Sequence, residues 1–415
     1  MPWNSTCPED ERYAFVKACY RGDETKAAAC RRFGISRRVG DKWLERYEAE
    51  GKPGLRDRRR TPLHSPQATD EQVAEEVLAV RRRHPSWGPR KVRAWLEQRR
   101  PHRQWPAAST IGDLFDRAGL TVARRRRRRA VASAQPFDAV EGPNEVWAID
   151  FKGWFRTGDG RRCDPLTITD VFSRYLLRCQ VVERCDLEHI WPIIEAAFRE
   201  FGLPARMRSD NGPPFAGTGP AGLSRLAVRL IKAGVRPERI ARGKPQQNGR
   251  HERFHLTLQQ DTASPPAATL RAQGRRFGAF QRLYNEERPH EALGQATPAS
   301  CYAVSSRRYR GVLREPTYGA DCAVRRVRKN GEIKWAGVNL FISQALSGER
   351  VGLRAEDDGT VVYYADIRLG QVDLARRRLA RQQAPKRRRR RPVDMMDSAG
   401  ALPTSPQAPQ PQPQA

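Results

Sequence analysis

Long apolar runs are missing from this chain. No stretch approaches the roughly 18 consecutive apolar residues that a membrane-spanning helix needs, and the opening residues, MPWNSTCPEDERYAF, lack the basic region and apolar core of a secretion signal. Cysteine is sparse and scattered: eight in 415 residues, with no CxxC pair. That argues against a disulfide framework and a zinc cage, and Cys7, Cys19 and Cys30 have no histidine near them in sequence to build a His/Cys zinc site. Acidic side chains are also short, 47 against 77 Lys and Arg, which leaves a formal charge of +30. A chain so unbalanced seeks a polyanion, and nucleic acid is the default partner. Its length allows about three domains at roughly 150 residues each.

The charge is concentrated at the two ends. Residues 1–137 carry a net +14 and residues 374–397 a net +8, while the longer middle, 138–373, also carries only +8. Six consecutive arginines (Arg124, Arg125, Arg126, Arg127, Arg128, Arg129) separate the first third from the rest, and a second run, Lys386 to Arg391, precedes a Pro- and Gln-rich end. Like charges this dense cannot fold on themselves. Residues 124–137 therefore read as a basic linker that contacts phosphate, and 375–415 as a basic disordered tail.

The first third has the punctuation of two helix-turn-helix units, over 1–60 and 61–123. Helices are expected at 9–20, 24–33 and 37–49, with Asp23 as an N-cap, Gly34 in the positive-φ turn, Ile35 filling the angle between helices and Ser36 capping the third helix. Arg37, Arg38 and Lys42 then stand where a recognition helix meets a major groove. Gly40 is a departure, since such helices usually bury Val or Ile there. A second set is expected at 70–84, 89–99 and 107–118, with Arg90, Lys91, Ser109 and Thr110 as DNA contacts.

From residue 145 the pattern changes to α/β. Strands at 145–151, 166–172 and 174–182 precede a helix at 186–201, a strand at 205–209, a helix at 218–233, a strand at 235–240 and a helix at 246–261, which implies a mixed sheet. Three carboxylates stand out: Asp150 within the apolar strand Val146–Phe151, Asp210 at a strand end before Asn211-Gly212, and Glu252 in the last helix. Grouped hard oxygen donors of this kind suit divalent cations. Past 318, short alternating runs at 321–328, 331–341, 349–354 and 360–367, with turns at Asn330-Gly331 and Asp358-Gly359, suggest a small β-barrel over 318–374.

The segments Trp147-Ala148-Ile149-Asp150-Phe151, Ser209-Asp210-Asn211-Gly212-Pro213-Pro214-Phe215 and Pro245-Gln246-Gln247-Asn248-Gly249-Arg250-His251-Glu252-Arg253 resemble the DDE core of bacterial insertion-sequence transposases, relatives of retroviral integrases. Tyr284-Asn285-Glu286-Glu287-Arg288-Pro289-His290 and Thr297-Pro298 fit the same layout. The resemblance implies a ribonuclease H-like catalytic domain over 138–310 and an SH3-like module behind it. It implies that Asp150, Asp210 and Glu252 are catalytic and ligate two Mg²⁺ or Mn²⁺ ions for in-line phosphoryl transfer, nicking the element end and joining its 3′-hydroxyl to target DNA. Lys244, Gln247, Asn248 and Arg250, around the start of the Glu252 helix, are candidate contacts to DNA backbone or terminal bases. Double-stranded DNA, homo-oligomers on that DNA and a cytoplasmic, nucleoid-associated location follow as expectations. Asp210 and Glu252 lie 42 positions apart, longer than the commonest integrase interval, and the loop at 212–222 can absorb the surplus.

Two other readings compete. A regulator derived from a transposase would have lost catalysis, and the intact carboxylate triad speaks against that. A tyrosine recombinase would show His-x-x-Arg, and none of the seven histidines has Arg three positions on.

Overall fold

The computed structural model describes residues 7–58, 68–121, 140–217, 219–241 and 249–380. The arginine run at 124–129, the segment 242–248 and the tail from 381 lie outside these. The chain forms two compact units, Met1–Asp70 and Glu71–Ala415.

In the first unit, α1 (Pro8–Arg21), α2 (Lys26–Arg32) and α3 (Arg37–Glu50) surround Phe15, Val16, Ala29, Cys30, Trp43 and Leu55. Thr25, not Asp23, caps α2: its hydroxyl accepts from the Ala28 amide at 3.3 Å, so the helix starts two residues later than the Asp23 cap requires. Ser36 caps α3 through the Val39 amide, Gly34 turns with φ +65°, and Ile35 packs on the core. Gly40 is explained by closeness. A Cβ there would lie 2.8 Å from Cys30 Sγ and 2.9 Å from Phe15 Cζ, so only glycine lets α3 approach the other two helices. Gly40→Val is expected to cost about 1–3 kcal/mol by overpacking, read as a lower urea midpoint of the Trp43 fluorescence transition in the full chain; an unchanged midpoint would mean that α3 moves outward freely.

The second unit begins with α4 (Glu71–Arg83), α5 (Pro89–Arg99) and α6 (Ala108–Arg117), packed around Val77, Trp87, Val92, Ile111 and Phe115. This bundle does not stand alone. Leu283 joins its core from far along the chain. Gln98 donates to the Gln295 carbonyl at 3.0 Å, Arg99 pairs with Glu287 at 3.1 Å, and Arg288 donates to Ser86 at 3.1 Å. The helical set is thus built into the α/β domain rather than strung before it.

The central sheet comprises β1 (Val146–Phe151), β2 (Phe155–Arg156), β3 (Arg162–Asp170), β4 (Leu176–Val182), β5 (Arg206–Ser209) and β6 (Arg236–Arg239). β3 lies antiparallel between β1 and β4 and receives β2 at its start, while β1, β5 and β6 run parallel. α7 (Leu187–Phe201) and α8 (Arg225–Lys232) cover one face, over Trp147, Ile149, Leu166, Ile168 and Met207. α9 (Gly249–Leu258) and α10 (Leu270–Arg282) cover the other through Phe254, Leu258, Phe277 and Phe280. α8 starts at Arg225, seven residues later than the sequence suggests, because Gly219-Pro220 and Ala221 (φ +50°) interrupt the helix and Ser224 caps it, accepting from the Ala227 amide at 3.1 Å.

The C-terminal sheet holds β7 (Cys322–Arg326), β8 (Glu332–Trp335), β9 (Val338–Phe341), β10 (Arg350–Glu356), β11 (Gly359–Tyr364), β12 (Ile367–Asp373) and β13 (Arg378–Ala380), in the order β7-β10-β11-β12-β13-β9-β8. Its end strands approach each other, giving a nearly closed barrel. β13 extends it past the expected end at 374, and the run 331–341 is split by a tight turn at Ala336-Gly337, both at positive φ. The barrel shares its core with Leu223, Ala227 and Val228, and Lys232 on α8 pairs with Glu349 at 3.0 Å. Among the described residues no helix is long and apolar enough to cross a membrane.

Candidate active site

Strand alternation puts Trp147 and Ile149 into the α7 side of the sheet, so Ala148 and Asp150 face α9. β1 pairs β5 with Ala148 opposite Arg208. Asp150 and Asp210 each follow that pair by two residues, at the ends of two parallel strands. Asp210 is half-buried in a turn: its Oδ1 accepts from the Gly212 amide at 3.1 Å, and Asn211 Nδ2 donates to the Ile240 carbonyl at 2.7 Å, tying the turn to β6.

Helix α9 closes the site from the other side. His251, Phe254 and Leu258 form its buried face, and Glu252 is exposed. The Thr167 hydroxyl, opposite Asp150 in the β1–β3 register, donates to the Asp150 carbonyl at 3.1 Å and contacts Nε2 of both His251 (2.8 Å) and His255 (2.9 Å). One hydroxyl has one proton and two acceptor positions to share among these three neighbours. Burial pushes His251 down to about 4 and, with help from His251 and Lys152, His255 down to about 2, so both rings are neutral near pH 7.

Asp150, His251 and His255 each bring a ligand atom within 4.8 Å of the others. Among the described residues this is the grouping that can hold a metal ion, and it includes neither Asp210 nor Glu252. The oxygen donors of Asp150 and Asp210, at neighbouring strand ends, suit Mg²⁺, while the imidazoles add nitrogen donors that favour later transition ions. The donor set therefore fits a divalent cation. Sequence reasoning left both histidines without a role, although their i, i+4 spacing around Glu252 puts them on one helix face.

The expected DNA contacts fare differently. Arg37 and Arg38 are exposed at the start of α3, and Lys42, also exposed, sits 4.9 Å over the Trp43 ring. Ser109 is exposed on α6 and Thr110 half-buried. Arg90 and Lys91 are instead engaged within the chain: Arg90 pairs with Glu291 at 2.6 Å, and Lys91 donates to the Pro289 carbonyl at 2.8 Å. Arg250 borders a small recess with Arg174, Arg208 and Tyr284. Lys244, Gln247, Asn248 and Arg124 to Arg129 lie outside the described residues.

Comparison with known families agrees with this architecture. Integrase core domain models match residues 140–245 and 233–298, a helix-turn-helix domain matches 11–62, a homeodomain-like domain 40–115, and the C-terminal domain of IS481 family transposases 322–380. A protein of insertion element IS407 from Burkholderia multivorans is 30% identical over 65% of this chain and 88% of its own length. One of insertion element IS476 from Xanthomonas euvesicatoria is 27% identical over 58% of this chain and 67% of its own. Among solved structures, the catalytic core domain of BIV integrase is 18% identical, covers 38% of this chain and 93% of that chain, and has a TM-score of 0.30. The HTLV-2 integrase catalytic core in complex with magnesium is 13% identical over 39% of this chain and 95% of that chain, with a TM-score of 0.28. Strand order, helix-turn-helix units and the matched models define an integrase-core protein with DNA-binding domains, of the polynucleotidyl transferase class. The chain belongs to the DDE transposases of insertion sequences.

Proposed function

We propose that this chain binds the ends of its own insertion element and catalyses metal-dependent 3′-end nicking and strand transfer, with Asp150, Asp210 and Glu252 as the ligands of two Mg²⁺ or Mn²⁺ ions. The observation that supports this reading is the parallel pairing of β1 with β5, which ends at Ala148 opposite Arg208, two residues before Asp150 and Asp210. Glu252, exposed on α9 next in sequence to His251, would supply the third carboxylate. When bound, such ions supply Lewis acidity at the attacking and leaving oxygens. The chain's own part is to fix the carboxylates: the Gly212 amide orients Asp210, and Thr167 with the two neutral histidines clamps α9 against the Asp150 strand.

Arg37, Arg38 and Lys42 read the element end with Ser109 and Thr110. Lys244, Gln247, Asn248 and Arg250 hold the terminal nucleotides, and the arginines from Arg124 to Arg129 grip phosphate. Assembly is as a homo-oligomer on DNA, in the cytoplasm at the nucleoid. The exposure of Glu252 is the observation that favours the alternative, a catalytically inactive DNA-binding regulator. Cleavage of a labelled element end separates the two: it should require Mg²⁺ or Mn²⁺ and stop with EDTA. Cleavage that persists in EDTA would overturn the metal assignment, and none with either ion would favour the regulator.

A further inference from the structure

The outward face of α9, the helix that carries Glu252, forms one wall of a cleft of about 1470 Å³ whose other wall is the α4–α6 bundle. Its size exceeds the roughly 300–1,000 Å³ of a small-molecule pocket. Cations converge on it. Lys91, Arg253 and Arg288 lie close enough to repel one another, and burial with Arg288 and Arg253 pushes Lys91 down to about 8 against the pull of Glu291. Arg288 is 7% exposed and pairs with Asp261 at 3.5 Å. Arg83 and Arg253, also lining the cleft, are exposed and form no ion pair among the described residues.

One side is closed, because Arg90–Glu291, Arg99–Glu287 and the Lys91 bond to the Pro289 carbonyl fasten α5 to the 287–291 segment. Contacts that close this side favour a single strand, the thinner polymer. Leu256, 45% exposed on the same helix face, offers apolar surface to unstacked bases.

We propose that this cleft binds the phosphodiester backbone of an unpaired DNA strand leading away from Glu252, with Arg83 and Arg253 as its phosphate contacts. The helical bundle then serves as the wall of a strand channel as well as a reader of duplex. The identity of the polymer rests on the transposase reading; the site rests on the cleft itself.

The test is fluorescence anisotropy on the full chain without metal, so that no chemistry is needed. The probes are a blunt element-end duplex and the same duplex with a short unpaired 5′ tail. For the Arg83→Ala/Arg253→Ala double variant, log affinity against log salt should become shallower by about 1.4 on the tailed probe, at roughly 0.7 per single-strand contact. The blunt duplex should keep its slope, and Arg83→Lys/Arg253→Lys should keep both. An unchanged slope on the tailed probe, or an equal loss on both probes, would overturn the strand assignment. Failure of the transposase reading would appear separately, as loss of metal-dependent cleavage by the wild type.

Discussion

Asp150→Asn, Asp210→Asn and Glu252→Gln should each lower nicking and strand transfer on the order of 1,000-fold or more while leaving element-end affinity unchanged. Each substitution keeps the shape of the side chain and removes one anionic metal ligand. Losing several kcal/mol of charge stabilisation at the transferring phosphoryl group is a loss of this size, at about 1.4 kcal/mol per tenfold. Affinity should survive because each variant leaves in place the DNA contacts proposed for α3, α6, the arginine run and residues 244–250. The informative case is Glu252, the one carboxylate exposed here. If Glu252→Gln retained strand transfer while the two aspartate variants lost it, the ion would be held by the Asp150 end of the site, where His251 and His255 already stand. Single-turnover cleavage of a labelled element end, paired with a binding isotherm for each variant, reads both quantities.

The parts of this molecule that were legible in the sequence are those governed by neighbours along the chain. An aspartate inside Val146–Phe151 is costly to bury without a purpose, and that cost marked Asp150. Ser36 and Gly34 announced a turn and a helix start through local backbone needs, and both are met. Where local signals were weak, the pattern misled. Trp335-Ala336-Gly337-Val338 lacks the Asn-Gly or Asp-Gly that usually marks a tight hairpin, so β8 and β9 read as one strand. Asp23 is as good a cap as Thr25 in composition, and only the helix start decides between them. The docking of α5 on the 287–295 segment depends on pairs such as Arg90 and Glu291, 201 positions apart, and no periodicity carries that information. For the same reason Arg90 and Lys91 read as surface cations available to DNA. The histidines beside Glu252 became meaningful only when β3 brought Thr167 to them.

That same join between the helical bundle and the α/β domain should make the protein sensitive to mild acid. His84, 5% exposed, is stacked 4.0 Å from the Trp87 ring, and burial, aided by Arg83, pushes it down to about 4 despite Glu287. His290, edge-on to Tyr284, is pushed down to about 3 by burial, then by Arg288 and Lys91. An unfolded histidine takes its proton near 6.5. The folded state therefore holds fewer protons below that value, and the stability contributed by neutral rings is complete above pH 6.5 and lost as pH falls toward 4 and 3. By pH 5 each ring should have forfeited about 2 kcal/mol, and the pair about 4 kcal/mol, a large share of the 5–15 kcal/mol typical of a folded domain. Asp170 and Asp261, both raised by burial, work in the opposite direction at lower pH. Urea melts followed by tryptophan fluorescence at pH 7.5 and 5 should show the midpoint falling, with Trp87 and Trp95 reporting release of the bundle. A His84→Phe/His290→Gln variant, which has nothing to protonate at either position, should lose about half of that dependence whatever its starting stability, because the buried His251 and His255 still titrate below 6.5. If the variant and the wild type fall in parallel, other groups set the acid response and the join does not.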